Sequence, residues 1–472
     1  MKFWVNGGVQ ERIMSLLPML SKSSFTQFLR CSCELWLYKQ RPDLAPAFDA
    51  DTLRAFATGN EVDAWAMKLY PKGVNVMGFG KAGAANTEKA IAEGAKVLIQ
   101  PTFIAGDITC RADIMKKNSD DSWDLLEVKS TTQVKPEHMM DMAFQRVCLE
   151  DAGLKIRKTV HVHIDNQYVR QGPIDPEKLF ARTDVTHEVE EMLPLCRKEI
   201  PRALAVLGWG TEPSLDIIKN CTDPAKCEFR ACILKAIEGE DGLLIDVGAQ
   251  LATPGHPLVN KPAIKSELDE LQYPLYFLDY ETYGPAIPPF DGYRPYQQCP
   301  FQYSVHILNA PGAELEHVEF IMDTFADPAT SLVEALAGHI GPTGSVIVWH
   351  MSFEAARNAE LARMVPKHDA FLSSLNERMF DLKTIVSKGY YDDSRFGGSA
   401  SLKKVLPVMC PELSYDALAI HEGGTASASW PVLTDPATEP STKTQLRKDM
   451  LAYCELDTLA MVEIYKKFLA AL

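Results

Sequence analysis

Along the 472-residue chain, apolar positions switch between a period near 3.6, one face of a helix, and a period of 2, one face of a strand. Residues 22–40 (KSSFTQFLRCSCELWLYKQ) predict an amphipathic helix behind a Ser/Lys start, and residues 51–70 predict a second. Strands are expected over 97–104 (VLIQPTFI), 108–115 (ITCRADIM) and 123–129 (WDLLEVK), with the polar turn KKNSDD between the last two. A helix over 136–152, a strand over 157–164 and a helical stretch over 175–206 follow. Periodicity fades over 236–270, where Gly, Pro and charge accumulate. Strands resume at 275–280 (LYFLDY), 301–308 (FQYSVHIL) and 345–349 (SVIVW), with helices at about 330–340, 353–364, 400–406 and 443–470. Strands alternating with helices predict the α/β class in both halves. The chain is too long for one ordinary core. We therefore expect a first domain over 1–240, a linker over 241–268 and a second domain over 269–472.

Composition narrows the class. Hydrophobic residues make up 46% and charged residues 24%, as in water-soluble globular domains. No apolar run approaches the ~20 residues of a membrane span. The N-terminal apolar stretch is interrupted by Glu11 and Arg12 and precedes no small-residue cleavage site, so no signal peptide is expected and the setting reads as cytoplasmic. Net charge is −15, divided as −2 over residues 1–240 and −13 over 241–472. An acidic second half argues against a broad electrostatic grip on duplex nucleic acid, but suits carboxylates gathered around metal ions. Eleven cysteines in such a chain do not read as a disulfide framework.

Three clusters carry chemistry. In the first, Glu127 and Lys129 stand at i and i+2 on one strand face, and a hairpin partner brings Asp113 beside them. Two carboxylates can hold a hard divalent cation, and a nearby lysine can orient water or offset charge. The same residues also read as solvated rim charges. The order strand, turn, strand, helix resembles the RecB-like form of the PD-(D/E)XK nucleases. That resemblance assigns Gln145 to the family's helix Gln, but puts Leu149 where the family often has Tyr. It also implies a metal-binding residue on an early helix, for which Glu61 is the choice.

In the second cluster, CTDPAKCEFRACI places Cys221, Cys227 and Cys232 within twelve residues, a spacing that can wrap one soft metal centre. A fourth thiolate is expected from Cys31, with Cys33 as competitor. One cysteine before the core and three after it resembles the iron–sulfur nucleases of CRISPR adaptation and of helicase–nuclease repair complexes. Their first-cysteine segment selects Cys31. The resemblance implies a 4Fe–4S cluster, while the thiolates alone suit zinc as well.

The third cluster follows a strand ending in Asp279-x-Glu281. Glu354 starts a helix after an apolar strand, and Tyr453-x-x-x-Asp457 shares one helix face. This order resembles the DEDD exonucleases of the DnaQ-like, ribonuclease H-like fold, in the subgroup with Tyr four residues before the last Asp. In that family four carboxylates bind two metal ions, Mg²⁺ or Mn²⁺. Glu354 stands where the family usually has Asp, and His350 where it usually has Asn. Asp381 is expected to be structural or to face substrate. Tyr280, Tyr283, Phe290, Tyr293 and Tyr296 either stack bases or pack a Pro/Tyr-rich loop on its own domain. Together the resemblances cover nearly all of residues 20–470. They imply a RecB-like iron–sulfur nuclease domain followed by a ribonuclease H-like 3′–5′ exonuclease domain. The expected partner is nucleic acid, single-stranded DNA or ends first and RNA as the alternative, with no membrane. A competing expectation is that one module has lost catalysis and serves as a clamp.

Overall fold

The computed structural model describes residues 19–45, 48, 50–211, 229 and 257–472. It is a mixed α/β protein of two compact units, Met1–Tyr168 with Pro173–Ile245 and Val169–Gly172 with Asp246–Leu472. Among the described residues no helix is long and apolar enough to cross a membrane.

The first unit runs β1 (Leu20–Ser21), α1 (Lys22–Arg30), α2 (Ser32–Gln40), α3 (Ala50–Met67), β2 (Val74–Asn75), α4 (Gly80–Ala92), β3 (Val97–Ile99), β4 (Thr102–Ala105), β5 (Ile108–Arg111), β6 (Ile114–Lys117), β7 (Trp123–Lys129), α5 (Pro136–Asp151), β8 (Ile156–Ile164), β9 (Phe180–Asp184) and α6 (Thr186–Leu207). A six-stranded sheet has the order β2-β3-β6-β7-β8-β9, and a small sheet the order β1-β5-β4. β7 pairs antiparallel with β6 and parallel with β8. As a central strand it is buried along nearly its whole length. The core gathers Phe25, Leu125, Phe144, Val189 and Ala203 against the sheet, with Phe25 stacked on Phe144 at 4.9 Å.

Several expected elements divide. The strands expected over 97–104 and 108–115 each break in the middle. Gln100 adopts a left-handed φ of 53° before Pro101, and the chain passes from one sheet to the other there. Gln100 N–H donates to Asp113 O at 2.8 Å and Ala112 N–H donates to Pro101 O at 3.0 Å, so both strands bend at one level. Asp113 thus stands in the gap between β5 and β6. The helix expected over 22–40 breaks at Cys31, whose extended backbone ends α1 and starts α2. Residues 180–184, expected helical, form edge strand β9 on β8.

The second unit runs β10 (Leu258–Val259), α7 (Lys261–Leu268), β11 (Leu275–Tyr283), β12 (Cys299–Leu308), β13 (Leu315–Ile321), α8 (Ala329–His339), β14 (Ser345–Val348), α9 (Met351–Met364), α10 (Asp369–Glu377), β15 (Met379–Asp381), β16 (Tyr391–Asp392), α11 (Leu402–Met409), α12 (Gly423–Thr434) and α13 (Pro440–Ala471). Residues 261–268, assigned to the linker by composition, are helix α7, because Ile264 and Leu268 one turn apart both bury. The five-stranded sheet has the order β13-β12-β11-β14-β15. β11–β12–β13 are antiparallel, while β14 and β15 run parallel to β11. Strand alternation divides two cores. Tyr276, Leu278 and Tyr280 face a layer with Leu332, Leu336, Leu361 and Leu372, whereas Leu275 and Phe277 face Trp430, Met461 and Phe468. Asp279 and Glu281 continue the face of Phe277, beneath α13.

Candidate active sites

In the second unit four carboxylates meet under α13. Asp279 and Glu281 come from β11, where the ladder to β12 shifts register between Glu281 and Thr282. Glu354 lies in the first turn of α9, which follows β14 directly. Asp457 and Tyr453 share the inner face of α13. Glu281, Glu354 and Asp457 are each under 9% exposed.

Their electrostatics mark them as one group. Burial first, and then the Asp457 charge, push the Asp279 carboxyl well above its ordinary range. Burial followed by Asp279, Asp457 and Glu354 does the same to Glu281, and burial followed by Asp279 raises Glu354. Asp457 is pushed up to about 6 by burial, held from rising further by a hydrogen bond from Tyr415 and by Lys403. Like charges in a dry site cannot all ionise without a counter-charge. Lys403 lies over the rings of Tyr415 and Tyr453, at 5.7 and 5.4 Å, and lowers both Glu281 and Asp457. Glu354 Oε2 is buried with no hydrogen-bond partner. The donor set is oxygen-rich, which suits hard divalent cations, and Cys454 Sγ adds a thiol 3.8 Å from Asp279 Oδ2. One ligand atom each from Asp279, Glu281 and Cys454 lie within 4.8 Å of one another. A Cβ built on Gly423 would stand 3.8 Å from Tyr453 Oη and 3.9 Å from Glu281 Oε2, so the start of α12 walls the site at close range.

His350 is exposed at the start of α9, with its ring stacked on Phe353 at 6.4 Å. Asp381, at the end of β15, accepts from Met351 N–H at 3.2 Å and caps α9. Tyr280 is core, donating its hydroxyl to Asn358 Oδ1 at 2.9 Å, and Tyr293 is fully buried, donating to Asp327 at 2.9 Å. Tyr283 and Phe290 pack against Trp430 at 5.5 and 6.4 Å. For these four aromatics the loop-packing expectation describes what is seen; Tyr296 sits in a left-handed turn with φ 60°.

In the first unit β6 and β7 bring Asp113 and Glu127 together, as the hairpin spacing predicts. Asp113 Oδ2 accepts from Val128 N–H at 2.8 Å. Burial, then Glu127, push its carboxyl well up. Glu127 differs. Burial would raise it, but Lys22 and Lys129 outweigh that and hold it below the carboxylate range. Both amines donate to Glu127 Oε1, at 2.7 and 3.0 Å, while Lys129 also reaches Asp141 at 2.6 Å. Glu127 Oε2 and both amide atoms of fully buried Gln145 lack hydrogen bonds of good geometry. Gln145 lies close enough to Glu127 to favour its charged form. Leu149 is fully buried in the core.

Glu61 has no charge of the site among the causes that shift it. It is exposed, and burial alone raises its carboxyl. Asp63, two residues on, is the acid of α3 that senses the site: burial and then Glu127 push it up to about 6. Lys22, Asp141 and Asp63 are the members that sequence reading missed. His161, opposite Glu127 in the β7–β8 register, is a fourth neighbour, its ring 2.7 Å from His138 Nδ1 through Nε2. The alternation in KTVHVHI offered a signal for His161, since it puts both histidines on the Glu127 face.

Cys31 is half-exposed at the junction of α1 and α2, and Cys33 is 1% exposed within α2. Cys221, Cys227 and Cys232 lie outside the described residues. Phe229, between the last two in sequence, is buried and meets the Tyr38 ring of α2 edge-on at 4.9 Å.

Comparisons with known proteins add family context without an activity. Residues 276–401 match the family described as Domain of unknown function (DUF2779). "Uncharacterized protein UU173" of Ureaplasma parvum serovar 3 is 26% identical over 216 residues, covering 40% of this chain. The match spans 30% of that relative's length. A solved structure titled "Crystal structure of SSO0001" aligns over 47% of this chain and 96% of its own, at 11% identity and a TM-score of 0.23, a superposition too loose to carry an argument. The matched family segment contains Asp279, Glu281 and Glu354 but stops before Tyr453 and Asp457.

Proposed function

We propose that this chain is a metal-dependent nuclease whose second unit trims nucleic acid from the 3′ end. The observation that carries the reading is the convergence of Asp279, Glu281, Glu354 and Asp457, from three elements, into one dry cluster of carboxyls raised by burial and, for the first three, by their neighbours' charge. The sheet order, three antiparallel strands followed by two parallel ones with acids at the end of the first strand, supports assigning the unit to the ribonuclease H-like fold. Four carboxylates fit two Mg²⁺ or Mn²⁺ ions, which when bound would polarise the phosphodiester and stabilise the leaving oxygen. The chain's own residues set the rest. Tyr453 stands beside Asp457, where its hydroxyl can orient the attacking water. Tyr415 donates to one Asp457 oxygen, and the Tyr453 hydroxyl also favours the charged carboxylate. Lys403 supplies positive charge near Glu281 and Asp457 where phosphate would approach.

For the first unit we propose a RecB-like, PD-(D/E)XK nuclease centre of Asp113, Glu127, Lys129, Asp63 and Gln145. The orphaned Glu127 Oε2 and Gln145 amide fit a divalent ion bound at Asp113 and Glu127. For the thiols we propose that Cys31 with Cys221, Cys227 and Cys232 would hold a 4Fe–4S cluster, with zinc as the chemical alternative. A second reading, that this unit binds strands without cutting them, is favoured by Lys22, which with Lys129 already neutralises Glu127.

The test is anaerobic purification and digestion of 5′-labelled single-stranded DNA in Mn²⁺. A ladder shortening from the 3′ end that disappears in Asp279→Ala and survives in Glu127→Ala supports the exonuclease. No cleavage of DNA or RNA by wild type with metal present would overturn the nuclease reading.

A further inference from the structure

A second polar cluster lies further along the same sheet face. His306 on β12 and His317 on β13 stand directly opposite in the antiparallel register, with rings stacked at 4.5 Å. Glu455 of α13 joins them, and one ligand atom from each of the three lies within 4.8 Å of the others. None of the three belongs to the carboxylate cluster described above.

The direction of the surrounding hydrogen bonds settles what the two rings present. Thr458 Oγ1 donates to Glu455 O at 3.0 Å, which spends its only proton. It must therefore accept from His306 Nδ1–H, 2.8 Å away, and from Ser304 Oγ–H, also 2.8 Å away. With its proton used, Ser304 Oγ accepts from His317 Nε2–H at 2.9 Å. A neutral imidazole at each position then donates from one nitrogen and keeps a lone pair on the other, on Nε2 at position 306 and on Nδ1 at position 317. His317 Nδ1 stands 3.8 Å from Glu455 Oε1, too far for a hydrogen bond. Burial, with His317 and Lys466 adding to it, holds the His306 ring down at about 4, so it is neutral at physiological pH. The Nδ1 of His317 thus stands beside the Glu455 carboxylate, and one nitrogen of the His306 ring lies within 4.8 Å of the ligand atoms of both. Ligating histidines are typically oriented in this way, by a hydrogen bond from the ring's other nitrogen.

We propose that His306, His317 and Glu455 form a site for a divalent transition metal of the zinc class. Two imidazole nitrogens and one carboxylate oxygen match zinc's preferred donors and leave a fourth position open. The ion would tie α13 to β12 and β13 within one turn of Asp457, so its occupancy would set how firmly the helix carrying Asp457 is held.

The experiment uses the full chain, stripped of metal and equilibrated with Zn²⁺, with bound zinc counted by atomic emission. Thiols and the carboxylate cluster are the same in wild type, His317→Ala and Glu455→Gln, so the difference among these three isolates this site. His317→Ala and Glu455→Gln should each hold one zinc fewer than wild type, or hold it at least tenfold more weakly. Asp279→Asn should keep that zinc, and Co²⁺ added to wild type should give visible ligand-field absorption that His317→Ala lacks. Circular dichroism checks the fold of each variant, and Glu455 is exposed enough that its substitution spares the core. Equal zinc content and affinity in wild type and both variants would overturn the proposal.

Discussion

Asp457→Asn should make the metal-free protein more stable at neutral pH while abolishing strand trimming. Asp457 is 7% exposed and its carboxyl is pushed up to about 6 from an ordinary 3.8. A raised carboxyl means the folded state holds its proton more tightly than the unfolded chain. Stability is therefore greatest below the unfolded value and falls as pH rises through about 4 to 6. Two units at about 1.4 kcal/mol each set the loss at about 3 kcal/mol by pH 7.5, and roughly half of it by pH 5. Asparagine removes the charge and keeps an oxygen to accept from Tyr415. In chelator at pH 7.5 the variant should melt several degrees above wild type, since about 1 kcal/mol corresponds to roughly 2–4 °C in a unit of this size. The gain should shrink by about half at pH 5 and should be offset by Mn²⁺, which stabilises wild type and not the variant. Calorimetry of the full chain, read transition by transition, makes the comparison. A variant that melts no higher than wild type at pH 7.5 without metal would refute the idea that burial makes the ionised Asp457 carboxylate costly in the folded state.

Lys22→Met leaves Glu127 with Lys129 alone, and should destabilise the first unit by up to about 3 kcal/mol, the low end for a broken buried pair because Lys22 keeps 26% of its side-chain exposure; urea unfolding measures it. The same substitution should strengthen Mn²⁺ binding to the first unit, read by calorimetric titration of an Asp279→Asn background. Asp63→Asn should weaken that binding several-fold while Glu61→Gln leaves it unchanged, and the reverse order would restore the sequence assignment. Trp430→Ala removes a ring that stacks on Phe301 at 5.0 Å and donates to Met322 O at 2.7 Å; a loss of about 3–5 kcal/mol is expected in thermal melts of the second unit.

What the sequence revealed depended on the range of each signal. Asp279 and Glu281 end an apolar run whose alternation fixes their face, so their pairing is a local fact. Tyr453 and Asp457 share a helix face for the same reason. Glu61 against Asp63 is a different case. The two flank the buried stripe of Val62 and Ala66 on opposite sides, and helical periodicity does not choose between them. Only the position of α3 over β7 decides. Lys22 and Lys403 were illegible because each meets its partners from far along the chain, Lys22 105 residues from Glu127. The broken strands were missed because an apolar run reads the same whether it stays in one sheet or turns at a left-handed Gln100 into another. β13 escaped because Glu316, His317 and Glu319 interrupt its apolar residues, as suits an edge strand in which only Ile321 is buried.

The thirty-two-residue α13 gives the gene a particular mutational grammar. Each residue added to a helix advances it about 1.5 Å and turns it by about 100°. An insertion or deletion near its start, before Met450, can be absorbed by the exposed first turns. The same event between Tyr453 and Asp457 would swing one of them off the carboxylate face and turn Met461, Tyr465 and Phe468 out of the core. Length variation among natural versions of this chain should therefore gather ahead of Met450 and be absent from the segment 450–468.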